Sequence, residues 1–214
     1  MTQSGLADAL ALHMGAHVCV AEESVSDACG LLGDEADAIA KAIPKRQTEF
    51  AAGRRAARKA LRSLGVPDAP IPAGPDRAPM WPKGTVGSIT HDTGLALAVV
   101  AKACTIGALG IDLTEAAPLP GQTRNAILTP EEQGLSEIDA RAVFAVKECL
   151  FKALHPQVKV FFGFDAAIVR PDLAHGTFAA TLYADLAPFA AGAQFHGTLI
   201  CDQTRLVAAL AVRA

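Results

Sequence analysis

Two similar halves, each joining a long helix to an antiparallel hairpin, are the fold that three features of this sequence predict. Arg141–Leu154, RAVFAVKECLFKAL, is apolar almost all round at helical period, as a buried helix is. Lys45–Arg62 also reads as a helix, ended by Gly65-Val66-Pro67. Two hairpin patterns then match in kind. VGSIT and LALAVVA flank His91-Asp92-Thr93-Gly94, and Gln194–Val212 (QFHGTLICDQTRLVAALAV) sets apolar runs about a polar turn. Helix then hairpin, twice over, puts a boundary near residue 105.

Along the chain, residues 1–33 hold apolar, strand-like patches around His17–Ala21, and Asp34–Ala42 reads as a short helix interrupted by Pro44. Residues 66–85 carry six of the 13 prolines and form a rigid loop bearing Arg77, Trp81 and Lys83. Ile106–Leu113 is a buried strand that includes Asp112, and Pro118 and Pro120 mark a loop after it. Thr129-Pro130-Glu131-Glu132 has the form of a helix start with a capping box, Gly134 interrupts it, and Ser136 can cap the next helix. His155-Pro156 is expected to stop that helix.

With 51% hydrophobic and 19% charged residues, the chain has enough apolar surface to fold, which excludes disorder. No apolar run is long enough for a membrane helix, and the N-terminus lacks the basic region of a secretion signal. The five cysteines match no zinc or redox spacing, so free thiols in a reducing cytoplasm are expected.

Charge is more informative where it clusters. Between Lys45 and Arg62 seven basic residues face one acid, Glu49, and Arg54, Arg58 and Arg62 form one stripe at spacing four. Two readings fit: a solvated helix face, or a seat for an anionic ligand in a chain of net charge −3. Nucleic acid is disfavoured, because the net charge of the chain is negative. On the apolar helix, Glu148 and Lys152 share a face and Lys147 is turned about 100° away. They are either a plain helix pair on an exposed strip, or buried charges that need a partner, metal or charged ligand.

Taken in order, GSITH (Gly87–His91), GIDLTE (Gly110–Glu115) and FAVKECLFKAL (Phe144–Leu154) resemble the Sfp/EntD type of 4′-phosphopantetheinyl transferase. That family pattern has a Ser/Thr-His pair, then G-[IV]-D-x-E, then [FW]-x-x-K-E-[SAC]-x-x-K. GRRAAR (Gly53–Arg58), RAPMWPKG (Arg77–Gly84) and LTPEE (Leu128–Glu132) add to the likeness, which spans residues 45–155.

The resemblance implies an α+β fold of two pseudo-symmetric halves, residues 1–104 and 105–214, each with a small antiparallel sheet and a long helix. Coenzyme A is expected in the cleft between them. The activity implied is Mg²⁺-dependent transfer of 4′-phosphopantetheine from coenzyme A to a serine of an acyl or peptidyl carrier protein, releasing 3′,5′-ADP. By the same resemblance Arg46, Arg54, Arg77, Thr90 and His91 contact the nucleotide phosphates, and Lys147 and Lys152 hold the pyrophosphate and pantetheine phosphate. Asp112 and Glu148 hold Mg²⁺, and Glu148 is also the candidate base for the serine.

One position departs from the family pattern. Thr114 stands where an acid is usual, and Glu115 follows it. On an extended strand Asp112 and Thr114 share a side while Glu115 points away, so Thr114 or a water is expected to complete the metal site. The partner is a carrier of a siderophore, polyketide or fatty-acid synthase, and one chain suffices as a monomer. Phe161 and Phe162, if exposed, would offer the carrier a contact; packed in the core, they would not. Thr114 also motivates an alternative: a degenerate member that binds coenzyme A or a carrier without transfer. A nucleotide hydrolase is disfavoured, because no G-x-x-x-x-G-K-[ST] loop is present.

Overall fold

The structure is a computed structural model that describes residues 5–214; the first four residues of the N-terminal segment lie outside the described residues. The first elements are α1 (Leu6–Met14), β1 (Val18–Ser24), a 3₁₀ turn (Gly33–Ile39), α2 (Pro44–Ser63), β2 (Thr85–His91) and β3 (Leu95–Lys102). Then come β4 (Ile106–Glu115), α3 (Gly121–Ile127), a 3₁₀ turn (Pro130–Glu132), α4 (Glu137–Val158) and a 3₁₀ turn (Phe164–Ala166). Strands β5 (Ala167–Asp172), β6 (Thr177–Leu182), β7 (Gln194–Cys201) and β8 (Arg205–Arg213) complete the chain. This is an α+β fold with two antiparallel sheets, ordered β1-β3-β2 and β4-β8-β7-β6-β5. Two compact units result: one reaches to Leu109 and takes in Arg213–Ala214, the other is Gly110–Val212. The division falls inside β4.

In the first unit, Pro44 opens α2 at a position where its missing N–H costs nothing. Small buried residues (Ala56, Ala57, Ala60) let α2 lie close on Ala21, Ala98 and Val100 of the sheet. The same closeness recurs at Gly53, where an added Cβ would sit 2.9 Å from the Ile89 side chain. In the second unit, Val143, Val146, Leu150 and Leu154 of α4 pack with Phe178, Leu199, Leu206 and Leu210 from the sheet. Burying each such side chain contributes about 1.5–3 kcal/mol.

The two hairpins share a turn. Asp92 N–H donates to the Leu95 carbonyl at 2.9 Å and its carboxylate accepts Leu95 N–H at 3.2 Å. Asp202 does the same with Arg205, at 2.9 and 2.7 Å. Four local expectations are corrected. The short helix expected over residues 34–42 is a 3₁₀ helix, Gly33–Ile39, rather than an α-helix. The capping box at Thr129 closes only one turn, because Glu132 is drawn into the core by distant groups. The loop after Pro120 contains α3, whose Ile127 is buried in the α4 core. Helix α4 runs through Pro156 to Val158 and ends on Lys159 in the left-handed region.

Candidate active site

The second unit builds its site where β4 meets α4. A Cβ added at Gly110 would lie 2.1 Å from the Cys149 carbonyl oxygen, so only glycine lets the strand rest on the helix here. Two residues on, Asp112 is 7% exposed. Lys152 reaches across from α4, its Nζ donating to Asp112 Oδ1 at 2.6 Å and to the Ile111 carbonyl at 3.1 Å. Glu148, one turn before Lys152, is half-buried. Burial first, then the nearby charge of Asp112, raises its pKa above the usual carboxylate value, with Lys152 opposing. Asp112, Glu148 and Lys152 therefore form one electrostatic cluster.

Two carboxylates with one ammonium leave an excess negative charge, and carboxylate oxygens are the donors a hard cation takes. Among the described residues no three His, Cys, Asp or Glu side chains gather into a metal cage. A divalent ion on Asp112 and Glu148 would complete its shell with substrate and water oxygens.

Other expected members of this site lie elsewhere. The Thr114 hydroxyl, expected to face a metal, accepts a hydrogen bond from Arg141 Nη1 at 3.2 Å. A guanidinium that close repels a cation, so Thr114 is in the wrong setting for a ligand. Arg141 also donates to the carbonyls of Ala117 and Pro118, at 2.6 and 3.0 Å, and feels the charge of exposed Glu115. Lys147, expected on the phosphates, donates instead to Glu132 Oε2 at 2.7 Å and the Ile127 carbonyl at 2.8 Å. Its side chain is 3% exposed and that of Glu132 is 1% exposed. Burial outweighs Glu132 and lowers the Lys147 pKa. The ammonium is consumed inside the protein, on a different face of α4 from Lys152.

The first unit gathers cations. Arg46 Nη1 lies 2.5 Å from His91 Nε2. His91 Nδ1 lies 3.7 Å from Glu49 Oε2 on its other side. Arg54 is 4% exposed, donates through Nε to the Ile71 carbonyl at 2.6 Å, and stacks on Phe50 with 4.1 Å to the ring centre. Burial lowers its pKa to about 10; Glu35 opposes that, while Arg58 and Arg46 add to it. A buried guanidinium pushed down by two neighbouring cations is a setting that an anion would relieve. Thr90 is buried on β2, next to His91. Arg77 lies on the proline-rich loop, exposed, at φ 66°.

The basic stripe divides along its length. Arg58 Nη1 donates to buried Glu35 at 2.6 Å, whereas Arg62 is exposed and pairs with Asp68 at 2.8 Å. Beyond α4, Phe161 is 83% exposed and Phe162 packs against the core, both near Phe151, with ring centres 5.7 and 5.0 Å away. Sequence reasoning missed Glu35, Glu132 and Arg141 as organisers. Glu132 closing a capping box, and Arg141 seven residues before Glu148 on one helix face, were the available signals.

The chain matches known proteins over most of its length. Residues 34–101 match a family model described as the 4′-phosphopantetheinyl transferase N-terminal domain, and residues 108–210 match the 4′-phosphopantetheinyl transferase superfamily. The 4′-phosphopantetheinyl transferase Svp of Streptomyces mobaraensis is 38% identical over 196 residues, 86% of this chain and 79% of that protein. The 4′-phosphopantetheinyl transferase PptT of Mycobacterium tuberculosis is 39% identical over 154 residues, 68% of each chain. Enterobactin synthase component D of Salmonella typhi is 33% identical over 140 residues, 61% of this chain and 57% of that protein.

Proposed function

This chain belongs to the 4′-phosphopantetheinyl transferases, enzymes that move phosphopantetheine to carrier proteins, and from that premise we propose how its residues divide the work. The acceptor is a serine hydroxyl of an acyl or peptidyl carrier protein and the donor is coenzyme A. The observation that carries this reading is the Asp112–Lys152–Glu148 cluster. The serine oxygen attacks the β-phosphorus, the new O–P bond forms as the bond to 3′,5′-ADP breaks, and the serine proton passes to Glu148 directly or through a water.

Asp112 and Glu148 fit Mg²⁺ in number and donor type. The chemistry a bound Mg²⁺ supplies is neutralisation of charge on the pyrophosphate and the leaving nucleotide. Lys152 holds phosphate oxygens. In the first unit, Arg46, Arg54, Arg77, Thr90 and His91 serve the nucleotide phosphates. Lys147 is left out of the phosphate contacts, since Glu132 consumes it. Exposed Phe161 offers the carrier protein an apolar contact.

The setting proposed is the cytoplasm, where coenzyme A is available. The five cysteines are free, and no described helix is long and apolar enough to cross a membrane. One chain carries both residue sets, so a monomer suffices. Mass spectrometry of apo-carriers from siderophore, polyketide and fatty-acid synthases, each incubated with coenzyme A and Mg²⁺, tests this reading. The expected result is one added phosphopantetheine on at least one carrier, lost with EDTA and lost when the acceptor serine is changed to alanine. Coenzyme A binding without transfer to any carrier would favour the non-catalytic reading instead.

A further inference from the structure

We propose that Lys152 is the resident counter-cation of the Asp112–Glu148 pair, so that a divalent metal binds tightly only together with the phosphates that draw Lys152 off Asp112. This rests on the metal reading above and adds a binding order to it. The ammonium occupies a cation's position: its donors meet a carboxylate oxygen at 2.6 Å and the Ile111 carbonyl oxygen at 3.1 Å, both oxygens of the kind a hard cation takes. A carboxylate contact this short is a charge-assisted bond, and the Asp112 side chain, 11% exposed, has little water to replace it.

Charge counting gives the consequence. Asp112, Glu148 and Lys152 together carry one negative charge. A divalent ion added alone makes the cluster positive and sets it against an ammonium on the same carboxylate. A pyrophosphate added with the metal returns the balance, because its oxygens accept the ammonium while the metal takes Asp112. Metal and pyrophosphate therefore bind cooperatively, each tightening the other by the same factor. Lys152 sets that factor. Without it, two carboxylates match a divalent ion with no phosphate present.

The test measures Mn²⁺ binding to the whole chain by calorimetry and by loss of the free Mn²⁺ EPR signal, with and without coenzyme A. Wild type is expected to bind Mn²⁺ weakly alone, and about tenfold or more tighter with coenzyme A. Lys152→Met should bind Mn²⁺ alone about tenfold tighter than wild type and lose most of the gain from coenzyme A. Lys152→Arg, which keeps a cation there, should stay as weak as wild type. Circular dichroism and melting curves check that each variant is folded. Equal Mn²⁺ affinity of folded Lys152→Met and wild type overturns the counter-cation role. The double variant Asp112→Asn/Lys152→Met separates that failure from failure of the metal reading. Mn²⁺ binding that survives in it puts the metal elsewhere, whereas its loss places the metal on Asp112.

Discussion

Each unit pins its long helix with the same buried device. Glu35 accepts Leu32 N–H at 2.8 Å, Ile71 N–H at 2.7 Å and Arg58 of α2 at 2.6 Å. Glu132 accepts Thr129 N–H at 2.8 Å, Val169 N–H at 2.6 Å and Lys147 of α4 at 2.7 Å. In both, a carboxylate on a 3₁₀ turn before the helix closes its own turn, holds a distant backbone N–H and neutralises one helix cation. The difference lies in what that leaves over. On α2 the neighbouring charge is Arg54, a cation set for anions; on α4 it is Glu148, a carboxylate beside Asp112. The lock pairs one cation of each helix with a carboxylate and leaves a second charged residue, Arg54 or Glu148, outside it.

Several measurements would break or sharpen this parallel. The largest effects should fall on the leftover charges of α4: Asp112→Ala and Glu148→Ala should reduce transfer to background with folding kept, while Glu115→Ala should stay active. A dead but folded Glu115→Ala enzyme would mean the ligand set is wrong. Next come the locks. Glu132→Ala and Glu35→Ala each strand a buried cation, at an expected cost of about 3–5 kcal/mol in urea unfolding. Glu132→Leu with Lys147→Met should recover only part of that loss, because the Thr129 and Val169 N–H groups stay unpaired. If Glu35→Ala were nearly neutral, the two devices would not be equivalent.

The glycine contacts should separate the units more mildly. Gly110→Ala drives a methyl into backbone and should cost about 3 kcal/mol or more, whereas Gly53→Ala meets a side-chain methyl that can move and should cost about 1 kcal/mol. Melting curves of the two variants would decide. Arg54→Met should raise the KM for coenzyme A about tenfold, as loss of charge-assisted bonds does, with kcat little changed. Arg62→Met, at an exposed pair, should change neither.

Part of the Asp112–Glu148–Lys152 cluster was legible in the chain from local patterns. Glu148 and Lys152 share a face by helical spacing alone, and Asp112 lies on a strand whose apolar run announces burial. Gly110 carried less information than it should have, since no spacing says that a helix carbonyl will press on it. The partner of Lys147 was hidden for a related reason. Its neighbours in sequence are site residues, but its partner, Glu132, is reached only when the 3₁₀ turn folds back onto α4.

The sequence by itself determined the periodic elements, the two Asp-led hairpin turns and the residue types of the site, because helix period, strand alternation and turn chemistry are properties of adjacent residues. Tertiary structure alone decided which charges are spent and which remain available. Arg54 and Arg58, or Lys147 and Lys152, look alike along the chain. They part only when burial removes water and a distant carboxylate becomes the nearest neighbour of one of them.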